Sequence, residues 1–186
     1  MKIGAIILAG GKSSRMGTDK GLLSLNGKSM VAHVIDTLKQ ITDDIIIISN
    51  NAAYKVYRIP VYEDLIKDAG PLAGIYTGLI YSKHDKNIVV SCDTPFVSVE
   101  LLNFLIEKSK NYDVTIATHD NKIHPIIGIY DKKCVPTFKN ELEQDQRKIG
   151  IALEKVNLHI IATKQFDKKV FTNVNTLIEL KEIQWN

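Results

Sequence analysis

Ile3-Gly4-Ala5-Ile6-Ile7-Leu8-Ala9-Gly10-Gly11-Lys12-Ser13-Ser14-Arg15-Met16-Gly17-Thr18-Asp19-Lys20 begins as a short apolar run and passes directly into a glycine-rich, basic loop. A run as short and apolar as Ile3 to Leu8 reads as a strand buried on both faces. The glycines after it let backbone N–H groups surround a phosphate, and Lys12, Arg15 and Lys20 add positive charge to the same loop. The loop is not a Walker A motif, because Ile6 stands where the first glycine is required. It also lacks the G-x-G-x-x-G of a dinucleotide fingerprint.

Outward from this stretch, further strand-like runs recur at Ile45 to Ser49, Ile88 to Cys92, Asp113 to Thr118, Ile126 to Tyr130 and Leu158 to Thr163, with a short one before Tyr62-Glu63-Asp64. Between them lie stripes of helical period. Met30, Val31, Val34, Ile35, Leu38 and Ile41 mark the first; Leu72, Ile75, Tyr76, Leu79 and Ile80 the second; Leu101, Leu102, Leu105 and Ile106 the third. Pro71 suits a first helical turn, Ser98 with Glu100 suits a cap, and Asn26-Gly27 is a turn dipeptide. Alternating strands and helices predict a three-layer α/β domain with a mostly parallel sheet. His119-Asp120-Asn121-Lys122 between two runs predicts a hairpin, hence at least one antiparallel strand. In such a sheet ligands sit at the carboxyl ends of strands, which brings together the loops after Leu8 and Ser49 and the residue Asp93.

Composition narrows the function. The 186 residues, 45% of them apolar, suit a single domain spanning 1–186 with its own core. A net charge of +3 is too weak to argue for nucleic-acid binding, and a small anionic substrate in a locally basic pocket fits better. Cys92 and Cys134 lack C-x-x-C spacing and the five histidines are scattered, so reduced cysteines and no zinc cluster are expected. The apolar run Ile3 to Ala9 is not followed by a small-residue cleavage pattern, and no stretch approaches a membrane span. The expectation is a soluble, cytoplasmic protein without nucleic-acid or membrane partners.

The run Leu8 to Lys20 resembles the L-A-G-G-x-S-x-R-M-G-x-D-K signature of the molybdenum cofactor guanylyltransferases, within the wider Rossmann-like nucleotidyltransferase fold. The likeness continues through Gly21-Leu22-Leu23, Asn26-Gly27-Lys28, Gly70-Pro71-Leu72-Ala73-Gly74, Cys92-Asp93-Thr94-Pro95-Phe96, His124-Pro125 and Asn173-Val174-Asn175-Thr176. The resemblance implies transfer of GMP from GTP to the phosphate of molybdopterin or Mo-molybdopterin, with Mg²⁺ as cofactor and with molybdenum-cofactor biosynthesis or acceptor proteins as further partners. It also implies a division of labour, the N-terminal half holding the nucleotide and the C-terminal half the acceptor.

Residue by residue, the resemblance places Leu8, Ala9, Gly10 and Gly11 along the nucleotide and Lys20 at its phosphates, with Arg15, Lys20 and Asp93 as the catalytic group. Asp93 is also the implied metal ligand, which agrees with the habit of Mg²⁺ of taking one or two carboxylates plus phosphate oxygens and waters. Asn50 and Asp64 fall where the family brings an Asn and an Asp to the nucleotide, although Asn51 and Asp68 are alternatives by position. His124, Arg147, Asn173 and Asn175 are the implied acceptor-binding residues. The chain departs from its relatives at Ser29, where they often have Pro, and at Asp145-Gln146, where they have Gly before the basic pair, which leaves the register of Arg147 open. No Ser/His/Asp or Cys/His arrangement is evident. The rival readings are a cytidylyltransferase or sugar-phosphate nucleotidyltransferase of the same fold, and a non-catalytic nucleotide-binding regulator.

Overall fold

A computed structural model describes residues 2–10, 19–174 and Glu179. Strand β1 (Ile3–Leu8) is followed by a small antiparallel ribbon of β2 (Ser24–Leu25) and β3 (Lys28–Ser29), then helix α1 (Met30–Lys39). Next come β4 (Ile45–Ile48), β5 (Val61–Tyr62), α2 (Gly70–Tyr81), β6 (Lys86–Ser91) and α3 (Val99–Lys108). The second half holds β7 (Val114–His119), β8 (Lys122–Asp131), α4 (Val135–Glu143), α5 (Ile149–Leu153) and β9 (Leu158–Ala162).

Seven strands form one sheet in the order β5-β4-β1-β6-β8-β7-β9. β1 pairs in parallel with β4 and β6, as do β4 with β5 and β7 with β9; β8 alone runs against its neighbours β6 and β7. The sequence reading of a mostly parallel sheet with an antiparallel strand therefore holds. Two apolar clusters flank the sheet and make it the middle of three layers. Ile7, Ile47 and Val90 face Val31, Val34 and Leu38 of α1 and Leu101, Leu102 and Leu105 of α3. Ile6, Leu8, Ile48 and Val89 face Leu72, Ile75 and Leu79 of α2, with Phe138 of α4 and Ala152 of α5.

Helix α2 is buried on nearly every side from Leu72 to Leu79, rather than along one stripe. Gly78 permits this, since a side-chain carbon there would lie 2.5 Å from Cγ2 of Ile6, so the glycine lets the helix lie directly on β1. Pro71 sits in the first turn of α2, and the Ser98 side chain caps α3 by accepting from Leu101 N at 3.2 Å.

Other boundaries differ from the sequence reading. β6 starts at Lys86, because this buried ammonium pairs with Asp131 of the neighbouring β8 at 3.2 Å and so enters the sheet without its charge being stranded. β8 extends over ten residues instead of five. Asp120 (φ 48°) and Asn121 (φ 61°) make the tight turn that pairs β7 with β8 back to Lys122. Within this hairpin Ile116 pairs with Gly128 but Ala117 pairs with His124, so Pro125, Ile126 and Ile127 bulge from the β7 side. The Tyr130 hydroxyl steadies the bulge by donating to the Pro125 carbonyl at 2.5 Å.

Candidate active site

The chain leaves β1 towards β4 and β5 and then returns to β6 on the opposite side of β1. At this reversal the loops diverge and leave a crevice beyond the carboxyl ends of the strands. A cavity of about 610 Å³ occupies it. Leu8, Ala9 and Gly10 line one wall, Asn50 and Asp64 another; these five are sequence-predicted nucleotide residues. Asp19, Ile48, Ser49, Asn51, Ser91, Ile126 and the Asp68-to-Pro71 turn with Gly74 complete the lining. Gly11, Arg15 and Asn175 lie outside the described residues.

Local hydrogen bonds explain how β4 and the turn after β5 present their polar groups. Ser49 Oγ donates to the Ala9 carbonyl at 2.7 Å and accepts from Asn51 N at 3.1 Å, tying the end of β4 to the end of β1. Asn50 Oδ1 accepts from Asp64 N at 3.3 Å, and Thr77 Oγ1 of α2 accepts from Leu65 N at 3.1 Å. These two contacts set the backbone around Asp64. The two asparagines separate by role: Asn51 spends its oxygen on Ala53 N and its nitrogen on Asp19, whereas the amide nitrogen of Asn50 remains the group suited to a ligand. Asp68 also borders the cavity, in the left-handed region at φ 56°.

Asp64 projects between the ends of β1 and α2, where side-chain carbons placed on Gly10 and Gly74 would each lie 3.6 Å from its carboxylate. Its Oδ1 is buried and has no hydrogen-bond partner among the described residues. Burial pushes its pKa above the ordinary carboxylate range.

Lys20 and Asp93 are not among the residues lining this cavity; their chain neighbours Gly21 and Cys92 pack against one another. Lys20 opens a 3-10 turn, Lys20–Leu22, whose Gly21 is pressed against Cys92 so closely that an added carbon would lie 2.9 Å from the sulfur. Asp93 is the residue after Cys92. It follows β6 by two positions, since the strand ends at Ser91 rather than at Cys92. Thr94 turns the chain there by donating its hydroxyl to the Ser91 carbonyl at 2.7 Å. Val174 N donates to the Asp93 carbonyl at 2.9 Å, which brings Asn173 to the same corner.

Asp93 Oδ1 is buried and, among the described residues, unpartnered. An acceptor of that kind, with no donor opposite, fits a hard divalent cation. Among the described residues no group of three His, Cys, Asp or Glu side chains could enclose a metal alone, so a cation at Asp93 would draw its other ligands from substrate oxygens and water. Cys92 is no nucleophile: burial first, and then the carboxylates of Asp93 and Asp19, push its thiol up to about 12.

His124 and Arg147 are placed apart from one another. His124 stands on β8 two residues from Ile126, its ring 4.8 Å from Phe171, which in turn stacks on His119 at 4.7 Å. Burial, then Lys122 and His119, lower the His124 pKa and favour the neutral ring. Arg147 does not line the cavity. Its guanidinium grips Asp145 at 2.8 Å and donates to the Asp68 carbonyl at 3.0 Å, so it braces the turn that borders the cavity. Among the described residues no helix is long and apolar enough to cross a membrane.

A three-layer α/β sheet with a glycine loop after β1, a lysine turn and a strand-end aspartate define a nucleotidyltransferase. The family model described as the MobA-like NTP transferase domain matches residues 5–157, and the chain belongs to that family. A protein of Flavobacterium johnsoniae, described as a probable molybdenum cofactor guanylyltransferase, is 38% identical over 97% of this chain and 95% of its own length. A protein of Carboxydothermus hydrogenoformans with the same description is 35% identical, covering 95% of this chain and 92% of that one. Among solved structures, the molybdopterin-guanine dinucleotide biosynthesis protein A from Archaeoglobus fulgidus superposes with a TM-score of 0.84 at 26% identity, over 98% of this chain and 97% of that one.

Proposed function

We propose that the protein transfers GMP from GTP to the terminal phosphate of molybdopterin or Mo-molybdopterin, releasing pyrophosphate. The observation that carries this reading is the buried, unpartnered Oδ1 of the half-buried Asp64 in the cavity at the end of β1. Guanine offers two adjacent donors, N1–H and the 2-amino group, on the edge that such a carboxylate accepts. Cytosine offers no such pair. The kinship with molybdenum cofactor guanylyltransferases supports the same assignment.

In this reading Leu8, Ala9 and Gly10 flank the nucleoside while the Gly10-Gly11 amides and Lys20 hold the phosphates. The acceptor phosphate is already a competent nucleophile at neutral pH, so no strong general base is needed. The chain's task is to hold nucleophile, α-phosphorus and leaving pyrophosphate in line. Lys20, with Arg15 from the same signature, stabilises charge that grows on the departing phosphates. Asp93 would hold Mg²⁺, which when bound neutralises phosphate charge and polarises the reacting phosphoryl group. Asn173 and Asn175 serve the acceptor or metal end of the site, and His124 beside Phe171 serves the acceptor. The decisive assay is purified protein with molybdopterin, Mg²⁺ and each of GTP, CTP, ATP and UTP, with pyrophosphate release and the dinucleotide product measured. Preference for CTP, or indifference to molybdopterin, rejects the assignment.

A further inference from the structure

Asp19, next to Lys20 and at the cavity wall, has a carboxylate that accepts three hydrogen bonds from within the protein. Tyr54 Oη donates to its Oδ1 at 2.5 Å, Gly21 N donates to the same oxygen at 3.2 Å, and Asn51 Nδ2 donates to Oδ2 at 3.0 Å. Tyr54 is fully buried and comes from the 3-10 stretch Ala52–Tyr57 that follows β4; Asn51 caps this stretch by accepting from Ala53 N at 2.9 Å. The Tyr54 hydroxyl also lies 3.9 Å from Cys92 Sγ, on the same spot where Gly21 is pressed down. The end of β4, the turn bearing Lys20 and the residue before Asp93 thus meet at one buried hydroxyl.

We propose that Asp19 is a positioning residue, latched by Tyr54 and Asn51, that fixes the backbone of Lys20 for its work on the nucleotide phosphates, and that it is not a second metal ligand. This rests on the reading of Lys20 given above. Asp19 spends both carboxylate oxygens on protein donors, one of them a fully buried tyrosine, whereas Asp93 offers an oxygen with no donor opposite, which makes Asp93 the better cation ligand. Such a latch also accounts for Tyr54, a buried polar residue that belongs to neither the nucleotide wall nor the metal corner. Its pKa is raised by burial first, then by Cys92 and Asp19, so the hydroxyl keeps its proton and remains a donor.

The test uses Tyr54→Phe, Asp19→Asn and the double variant, together with Tyr54→Phe placed on Lys20→Ala. With GTP, molybdopterin and titrated Mg²⁺, each single change is expected to lower kcat/KM about tenfold or more, the scale of one hydrogen bond to a charged group. The double variant should lose less than the sum of the two single losses, because the Tyr54 hydrogen bond draws on the charge that Asp19→Asn removes. The Mg²⁺ concentration for half-maximal rate should stay at the parent value, and Tyr54→Phe should add almost nothing once Lys20 is gone. A raised Mg²⁺ requirement in Asp19→Asn makes Asp19 a metal ligand and overturns the proposal. A full Tyr54 effect in the Lys20→Ala background reduces the tyrosine to general support and overturns it as well. Amide hydrogen exchange over residues 19–23 reads the latch without any substrate: it should quicken in Tyr54→Phe at an unchanged global stability. If the parent ignores GTP, the functional reading falls while quickened exchange still upholds the latch; unchanged exchange refutes the latch whatever the substrate.

Discussion

Asp64→Asn should convert the nucleotide preference from GTP towards XTP. The carboxylate accepts from both N1–H and the 2-amino group of guanine in the proposed pose. The amide keeps an oxygen for N1–H but turns its NH2 against the 2-amino group, donor facing donor. One charge-assisted hydrogen bond is lost, the other becomes a neutral one, and a buried donor is left unmade, for a total of about 3 kcal/mol. That corresponds to roughly 150-fold in kcat/KM for GTP. Xanthine carries a 2-oxo group, which repels the parent carboxylate but accepts from the variant amide, so XTP should gain where GTP loses. The assay is pyrophosphate release with molybdopterin, each nucleotide varied, in parent and variant. The same substitution reports on the fold. Burial raises the Asp64 pKa in the folded state, so the folded protein holds this proton more tightly than the unfolded chain, and the ionised group destabilises the fold once the pH passes its unfolded value. Asp64→Asn should therefore raise the thermal midpoint at neutral pH relative to the parent. An unchanged GTP-to-XTP ratio in a folded variant refutes the base-reading role of Asp64.

Lys20→Ala should weaken GTP use by about 2 to 4 kcal/mol in transition-state stabilisation, read as kcat/KM; parental kinetics would show the ammonium to be a solvated bystander. Asp93→Asn keeps shape but removes the charge a hard cation prefers, so Mg²⁺-dependent turnover should fall by about a hundredfold or more while the thermal midpoint is retained. Turnover equal to the parent's would dismiss the metal role. The lowered pKa of His124 means that the unfolded chain binds this proton more readily, so its contribution to stability is present above about pH 6.5 and is lost as the pH falls through the folded value. His124→Gln should flatten the acid side of a stability-versus-pH profile, and an identical slope in both proteins counts against that assignment. Phe138→Ala, which empties a fully buried position of α4 whose ring meets Tyr130 edge-on at 6.3 Å, should cost about 3 to 5 kcal/mol in denaturant unfolding.

The parts legible in the sequence were those in which one residue type answers one physical demand. Leu8-Ala9-Gly10 could be placed because a buried strand ending in glycines leaves few choices for the loop that follows it. Asn50 and Asn51 could not be told apart in advance: they are chemically identical and both line the cavity, and only the partners distinguish Asn50, whose oxygen holds Asp64 N, from Asn51, whose amide is spent on Asp19 and Ala53. Helix α4 went unread because Val135–Glu143 buries only Phe138, Glu141 and Leu142, too few apolar positions for a stripe, with a glutamate among them. The bulge at Pro125 to Ile127 was equally silent. An apolar pair in a strand looks the same whether it pairs regularly or, as here, puts Ile126 into the cavity lining. Tyr54 carried no motif, and its partner Asp19 lies in a different loop.

Four buried side-chain atoms lack a hydrogen-bond partner among the described residues: Asp64 Oδ1, Asp93 Oδ1, Thr115 Oγ1 and His159 Nδ1. The last two belong to groups that are neutral or can be, and on β7 and β9 they cost comparatively little. The two carboxylate oxygens are far more expensive, and a fold free to choose would have capped them as it caps Asp19, with three donors, or Asp131, with an ammonium and a backbone amide. The two acids follow parallel strands on either side of β1, Asp64 after β5 at the cavity wall and Asp93 after β6, two residues past the cavity-lining Ser91. A buried carboxylate oxygen with no donor opposite calls for an electropositive partner from a ligand at each of the two positions. In the proposed function a base edge that donates answers to Asp64 and a divalent cation to Asp93, so the acids left without protein partners bear on that reading more than those with them.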